Sequence, residues 1–243
     1  MKIVGLEAVK NEMNKIISQA DAYRKGGAKV PHMVINLTKD NGQSYVAAYI
    51  ASVLYGYKLR KFCGLDMILE YRPDGTLKNV RQVFEDIIGN AVYTNEFEGV
   101  VAIDVSQFFE YVNEYQMDFF VEQISIVAKS ATVIIYYNDN LGRRMEVVKR
   151  RICDALGNYI MIQVEAYSTE EFYEIVVDNI KKRGIIIESE DTLKKIIYDV
   201  MDKRHIANVK EAVTLAENLA FCTDYSGCVP RIDISKACNF FFK

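Results

Sequence analysis

The hydrophobic positions in the first two thirds of the chain fall into short uninterrupted apolar runs separated by longer stretches with helical spacing. The apolar runs lie at residues 32–37, 99–104, 132–137 and 160–164. They are rich in β-branched residues and short enough for strands that are covered on both faces. Because helical patterns separate these runs, we predict βαβ units and a mainly parallel sheet.

The stretches between the runs predict the helices that would cover this sheet. They lie at Glu7–Tyr23, 44–55, 77–88 and 111–128. Ser44 is expected to cap the second of them, because a serine hydroxyl oxygen accepts a hydrogen bond from an unpaired backbone N–H group.

The pattern changes after residue 165, where only helical spacing continues. Three helices are predicted there, at residues 168–183, 189–202 and 208–221. Ser168 and Glu171 form a capping box that would open the first of them. Gly184 suits the position that follows the end of that helix.

These patterns divide the chain into an α/β domain over residues 1–165 and a small all-helical domain over residues 166–243 that includes a C-terminal tail. In the tail, residues 225–230 predict a turn and residues 231–235 a short extended piece. The tail ends in the apolar run 239–242, for which docking on the helical domain and docking on a partner both remain open.

The composition is that of a folded globular protein. Of 243 residues, 50% are hydrophobic and 26% are charged, so a substantial core can form. The net charge of −3 provides no broad basic field for nucleic acid. The basic clusters at residues 143–144 and 181–183 are more simply read as helix-end charges.

The cysteines argue against a disulfide framework and against a zinc site. They lie at positions 63, 153, 222, 228 and 238, an odd number with no CxxC pair. His32 and His205 are far from them in sequence, whereas a zinc site needs four closely spaced ligands. We expect reduced thiols and a cytoplasmic protein. No apolar segment approaches about 18 residues, so we predict no signal peptide and no membrane span.

The junction between the first predicted strand and its helix has the position of a phosphate-binding P-loop, GxxxxGK[ST]. In that motif, glycines turn backbone N–H groups toward phosphates, the lysine neutralises phosphate charge and the hydroxyl binds Mg²⁺. Residues 37–44 keep Gly42 and Ser44, but Leu37 replaces the first glycine and Gln43 replaces the lysine. On these residues alone, a chance loop–helix junction is the favoured interpretation.

The order of segments along the chain is more informative than this motif. It resembles the AAA+ ATPases of the stage V sporulation protein K and red-type rubisco activase (CbxX/CfqX) family. The segments that carry the resemblance are Val4–Lys10, His32–Val34, Gly75–Phe84, Tyr167–Glu171 and Asn208–Lys210. Together they span roughly residues 3–221 and imply an AAA+ parallel sheet covered by helices, followed by a helical lid.

The resemblance also implies where a nucleotide would bind. It makes ATP or ADP with Mg²⁺ the candidate ligands, although the residues themselves assign no cofactor. The candidate nucleotide-binding residues are Val4, Gly5, Lys39, Gly42, Gln43, Ser44, Asp104, Asn138 and Lys210. Val4 and Gly5 would lie near the adenine, and Lys39 is an alternative cation in the loop. Ser44 and Asp104 are the candidate Mg²⁺ ligands.

The charged positions on which the family's catalysis depends are altered in this chain. Gln43 stands for the P-loop lysine, Val105 for the glutamate that orients the attacking water, and Lys210 for the sensor-2 arginine. The segment 155–158, which aligns with the arginine finger, contains no arginine, and the nearby pair 150–151 is better read as a basic helix end. We therefore predict no catalytic residues.

The resulting hypothesis is a catalytically degenerate AAA+ ATPase-like protein that acts as a structural or regulatory assembly partner. Its partners would be further copies of itself or another protein such as an active AAA+ paralogue. The alternative is a protein that binds ATP or ADP weakly with little or slow hydrolysis. A nucleic-acid-associated module is a third hypothesis, and the acidic balance argues against it.

Overall fold

A computed structural model describes residues 3–61, 65–68, 99–106, 114–138, 143–206, 208–227 and 229–242. The chain divides into two compact units. The first unit comprises Met1–Lys39 and Gln43–Glu165, and the second comprises Asp40–Gly42 and Ala166–Lys243. Among the described residues, no helix combines the length and the apolar character needed to cross a membrane.

The first unit is built on a parallel sheet. Its strands are β1 (His32–Asn36), β2 (Leu65–Ile68), β3 (Val100–Asp104), β4 (Thr132–Tyr137) and β5 (Tyr159–Gln163). They are ordered β2-β3-β4-β1-β5, and every pairing is parallel. The strands predicted from apolar runs are therefore confirmed to within a residue or two at each end. β2 was not predicted from the sequence.

Helices cover the sheet as predicted, except that the sequence analysis had placed no helix over residues 143–156. In the first unit they are α1 (Glu7–Ser18), α2 (Ala20–Lys25), α3 (Gln43–Gly56), α4 (Glu114–Val127) and α5 (Arg143–Leu156). Phe120 of α4 and Ile152 of α5 are fully buried against Val101 and Val133 of the sheet. Because β3 and β4 are buried along their whole length, their continuous apolar runs are explained by burial on both faces. The helix predicted at residues 77–88 lies outside the described residues.

Two local predictions are wrong. The single helix expected over Glu7–Tyr23 is broken at Gln19, whose N–H bonds to the Ile16 carbonyl three residues earlier and tightens the last turn of α1. Ser44 does not cap α3, because the helix already begins at Gln43. The positive φ of Gly42, 87°, ends the loop one residue earlier than expected.

The second unit is mainly helical. It contains α6 (Thr169–Lys182), α7 (Glu190–Arg204), α8 (Val209–Ala220), the short antiparallel pair β6 (Thr223–Asp224) and β7 (Arg231–Ile232), and α9 (Ile234–Phe242). The capping box of Ser168 and Glu171 is confirmed, as is the left-handed Gly184 beyond the end of α6. The extended piece expected at residues 231–235 is limited to β7, because α9 begins at Ile234.

The apolar end of the chain docks on α7 within this unit. The ammonium of Lys203 lies 4.4 Å from the ring centroid of Phe242, and the guanidinium of Arg204 lies 5.2 Å from that of Phe241. These are cation–π contacts that hold α9 against the end of α7.

Replacing Asn208 with alanine is expected to lower the free energy of unfolding by about 1 kcal/mol. The Asn208 side-chain oxygen accepts a hydrogen bond of 2.9 Å from the Glu211 N–H and so caps α8. Ser189→Ala is the matched control, because the Ser189 hydroxyl at the start of α7 bonds the Thr192 side chain and makes no cap bond. Urea unfolding of the two variants tests this difference, and equal losses would contradict it.

Candidate functional site

In the loop after β1, only the second glycine position of the P-loop motif is still a glycine, and it has the backbone conformation of a tight turn. Gly42 has a φ of 87°, which glycine adopts without strain, and Asp40 also has a positive φ, 66°. Leu37, at the position of the first glycine, is 5% exposed, and its N–H donates to the Tyr137 carbonyl. The start of the loop is therefore an extension of the buried sheet.

The side chain of Gln43 is turned into the first unit and bonded there. It is 6% exposed, and its Nε2 donates to Asp104 Oδ2 at 2.9 Å and to the Leu37 carbonyl at 3.3 Å. Its backbone carbonyl accepts a hydrogen bond of 2.7 Å from the Tyr136 hydroxyl. An uncharged amide thus occupies the position of the P-loop lysine and is fixed by partners from three neighbouring segments.

The side chain of Asp104 is also buried. Its carboxylate is 1% exposed, and its Oδ1 accepts hydrogen bonds from the Ser106 N–H at 2.9 Å and from the Ser106 hydroxyl. Together with the bond from Gln43, both carboxylate oxygens are engaged by donors of the protein itself. Oδ1 accepts two hydrogen bonds and Oδ2 accepts one described hydrogen bond, so a metal ion bound at Asp104 would compete with Gln43 and Ser106 for this carboxylate.

Burial also keeps the hydroxyl of the tyrosine beside this pair protonated. Register places Asp104 of β3 opposite Tyr136 of β4. Burial, and then the charge of Asp104, raises the pKa of Tyr136 well above its ordinary value. Tyr136 therefore remains a neutral phenol that can donate to Gln43. Sequence analysis missed this residue, although a tyrosine inside a buried strand signals that its hydroxyl needs a partner.

Val105 follows Asp104 at the position where the resemblance implies a glutamate that orients water. Its side chain is fully buried in the core of the first unit, and its N–H donates to the Tyr136 carbonyl. A valine offers no atom that accepts a proton from water.

The remaining candidates in the first unit differ in their exposure. Val4 is half-buried, and Gly5 is buried with a φ of 61° in the bend before α1. Lys39 and Ser44 are exposed, and Asn138 is half-buried after β4. No hydrogen bond between Ser44 and Asp104 is described, and Ser44 is exposed whereas Asp104 is buried.

In the second unit, the tip of the loop is bonded to the start of α8. The Lys210 ammonium lies 3.5 Å from the Asp40 carboxylate. The Val209 N–H donates to Asn41 Oδ1 at 3.3 Å, and the Lys210 N–H donates to the Asp40 carbonyl at 3.1 Å. Since Asn208 caps the third N–H, the first turn of α8 has its donors satisfied. Sequence analysis missed Asp40 and Asn41, because no local pattern reveals partners so distant in the chain.

A half-buried tyrosine supports the same loop tip. The Tyr167 hydroxyl donates to the Asn41 carbonyl at 3.3 Å, and its oxygen lies 3.7 Å from the position that a Cβ on Gly42 would take. Burial raises the pKa of Tyr167 above its ordinary value, so the hydroxyl keeps its proton as a donor.

Arg150 and Arg151 of α5 precede the segment that the resemblance aligns with the arginine finger. Arg151 forms an ion pair with Asp118 of α4, and Arg150 is exposed. In the segment aligned with the arginine finger, Leu156 is buried and the Asn158 amide donates to the Lys29 carbonyl. Leu156, Asn158 and Arg151 therefore make their described contacts within the first unit.

Several solved structures share this architecture, although the sequence matches no protein-family profile and no curated protein. C. elegans PCH-2 superposes with a TM-score of 0.63 at 14% identity, over 98% of this chain and 69% of that one. The Thermotoga maritima RuvB Holliday junction branch migration motor gives 0.61 at 14%, over 98% and 68%. Domain III of the T. maritima replication initiation protein DnaA gives 0.57 at 13%, over 100% of both chains. All three are AAA+ ATPases, and the likeness shows that this chain has the AAA+ fold: a parallel sheet covered by helices, followed by a mainly helical part.

Proposed function

We propose that this protein is a catalytically degenerate AAA+ ATPase-like protein that acts as a structural or regulatory assembly partner. The observation that carries the proposal is the hydrogen bond between Gln43 and Asp104, 2.9 Å long and buried. It joins the two positions that would otherwise hold phosphate charge and a metal ion. A neutral amide cannot replace the electrostatic clamp that a lysine places on phosphates.

Charge in the loop supports the same conclusion. Asp40 adds a carboxylate where a polyphosphate would need positive charge, and the Lys210 ammonium is already paired with it. The N-terminus of a helix is a natural phosphate site, yet the first N–H groups of α8 are bonded to Asp40, Asn41 and Asn208. Nucleotide binding would have to break these contacts.

Two exposed residues favour the alternative of a weak nucleotide-binding protein. Ser44 and Lys39 both face solvent, and Gly42 keeps the turn that a phosphate-binding loop uses. These residues would give contacts to a phosphate without restoring a group that activates water. Binding of ATP or ADP without turnover is the outcome that this alternative predicts.

The first test is titration of fluorescent ATP and ADP analogues with Mg²⁺ into the purified protein, together with an assay of released phosphate. We expect neither saturation at millimolar nucleotide nor hydrolysis above the buffer rate. Gln43→Lys should not restore hydrolysis, because Val105 remains. Micromolar binding without turnover would establish the alternative. Mg²⁺-dependent hydrolysis that Asp104→Ala abolishes would overturn both versions.

The assembly role has its own test. If the fold is used as a scaffold, the size of its assemblies should not depend on nucleotide. Sedimentation velocity of the purified protein should give the same distribution with Mg²⁺-ATP and with EDTA. Assemblies that form only with Mg²⁺-ATP would contradict the proposal, because nucleotide would then control association.

A further inference from the structure

Strand β5 forms an open edge of the sheet in the first unit. It stands last in the order β2-β3-β4-β1-β5, and among the described residues no strand pairs with its other side. Tyr159 is 37% exposed and Met161 is 49% exposed, so side chains of this strand also face solvent. An edge strand of this kind presents backbone N–H and C=O groups with which another chain can pair.

The backbone groups that point away from the sheet belong to the odd-numbered residues of β5. The His32 N–H donates to the Asn158 carbonyl at 2.9 Å, so the backbone of Asn158 faces β1. Because backbone groups alternate in direction along a strand, those of residues 159, 161 and 163 face outward. No described hydrogen bond engages the N–H or carbonyl group of these three residues. They therefore offer three donors and three acceptors to a neighbouring strand.

This edge lacks the features that normally prevent edge strands from pairing. Natural edge strands are protected by lysine, by proline, by inward-pointing charges or by bulges. The segment 159–164 reads YIMIQV and contains neither a charged residue nor a proline. It also pairs with β1 without a break in register from Tyr159 to Gln163. The sequence of β5 therefore contains nothing that opposes the addition of a strand.

The sequence of β5 is complementary to itself in the antiparallel direction. About a two-fold axis at Met161, this residue would lie opposite Met161 of a second copy, and the two would exchange both of their backbone hydrogen bonds. On the other face of the paired strands, Ile160 of each copy would lie opposite Ile162 of the other. Apolar pairs of this kind stabilise a sheet, and no like charges would meet along the strand.

The charges at the two ends of β5 also match in this direction. Glu165 follows the carboxyl end of the strand and is exposed. Lys29 is exposed beside the amino end, where its carbonyl accepts a hydrogen bond of 3.2 Å from the Asn158 side chain. Antiparallel pairing about Met161 would bring Glu165 of each copy opposite Gly157 of the other and so toward Lys29. A parallel arrangement would place like charges side by side.

We propose that two copies of this chain pair through β5, antiparallel and about a two-fold axis at Met161, so that their sheets join into one. The inference deepens the proposed assembly role and rests on it, because the paired edge is the contact through which the scaffold assembles. β5 is five residues long, so the interface is small and the dimer is reversible.

Sedimentation velocity of the purified protein over a concentration series tests this proposal, and we expect a monomer–dimer equilibrium. Met161→Lys should weaken the dimer about tenfold, because two ammonium groups would lie opposite each other at the two-fold axis. Tyr55→Lys is the matched control. Tyr55 is 50% exposed on α3, which packs on β2 at the opposite edge of the sheet, so the same charge is added away from β5.

Reversal of the end charges tests the direction of pairing. Glu165→Lys and Lys29→Glu should each weaken the dimer several-fold, because each brings like charges together. The double variant should recover the wild-type affinity, since the two charges again attract. A double variant that is weaker than both single variants would contradict the antiparallel arrangement.

Disulfide crosslinking of Met161→Cys locates the axis directly. Opposed residues in a hydrogen-bonded antiparallel pair have Cα atoms about 5.5 Å apart, which a disulfide can span. Mild oxidation should therefore link two copies through position 161, and mass mapping of the peptides should identify that link. Tyr55→Cys adds a thiol at a similarly exposed position and should crosslink more slowly.

The proposal is overturned if the protein stays monomeric throughout the series or if the two lysine variants weaken the dimer equally. A monomer would leave this edge to a strand of another protein, and its assignment to a second copy would be wrong. These outcomes are distinct from those of the nucleotide titration. A monomer that binds no nucleotide would overturn this interface but not the loss of catalysis, whereas a β5-paired dimer that hydrolyses ATP would overturn the proposed function but not the interface.

Discussion

Acidification from pH 6.5 to about 4 should cost the folded protein about 3 kcal/mol of unfolding free energy through His32 alone. In the folded state the pKa of this histidine is lowered to about 4, first by burial and then by the charges of Arg60 and Lys29, whereas its ordinary value is 6.5. Between these values the unfolded chain binds a proton that the folded chain does not. Stability is therefore fully present above pH 6.5 and falls as the pH decreases toward 4.

His32→Asn isolates this contribution. An asparagine oxygen can still accept the hydrogen bond from the Val133 N–H, but the side chain does not titrate. Urea unfolding at a series of pH values should show that the variant loses less stability than the wild type on acidification, by about 3 kcal/mol at pH 4. Titration of the carboxylates changes the unfolding free energy of both proteins by the same amount, so it cancels when the two pH curves are subtracted. Parallel curves for the two proteins would show that His32 does not resist protonation in the fold.

The sheet of the first unit was predictable because strands buried on both faces appear in the sequence as continuous apolar runs. Residues 132–137 form an unbroken apolar run, and all six are buried in β4. β6 and β7 were not predicted, because strands of two residues are too short to show a hydrophobic pattern. The phenylalanines at 240–242 suggested an apolar end, but their helical spacing with Ala237 went unrecognised, so α9 was missed.

The sequence identified the positions that the candidate site would use, but it did not predict the contacts that these residues make. The alignment with the family's motifs identified Gln43 as an altered position and Asp104 as a retained one. That the two side chains bond to each other across 61 residues depends on the order β3-β4-β1 in the sheet, which the sequence does not specify. For the same reason the ion pair between Asp40 and Lys210 was missed, since it joins segments that are far apart in the chain.

Asp104→Ala is expected to lower the unfolding free energy by about 3 kcal/mol. The substitution leaves Gln43 Nε2 and the Ser106 N–H without the acceptor that each now has at 2.9 Å. The loss is large because the carboxylate is 1% exposed and water cannot fully replace it. Asp104→Asn should cost less, since its remaining oxygen can still accept from Ser106. Urea unfolding monitored by circular dichroism measures both.

A double-mutant cycle with Gln43→Ala decides whether Asp104 is kept for the fold or for a ligand. If the hydrogen bond between them is the main role of both side chains, the double variant should lose about 1.5 to 3 kcal/mol less than the sum of the single losses. Additive losses would mean that each residue acts through other partners. If Asp104→Ala kept its stability and instead lost Mg²⁺-dependent nucleotide binding, Asp104 would be a metal ligand in solution and the weak nucleotide-binding alternative would follow. If the fold is retained as a scaffold, the coupling energy between Gln43 and Asp104 should be large and should not change when nucleotide is added. The pair would then stabilise the first unit at the position where an active enzyme binds its substrate.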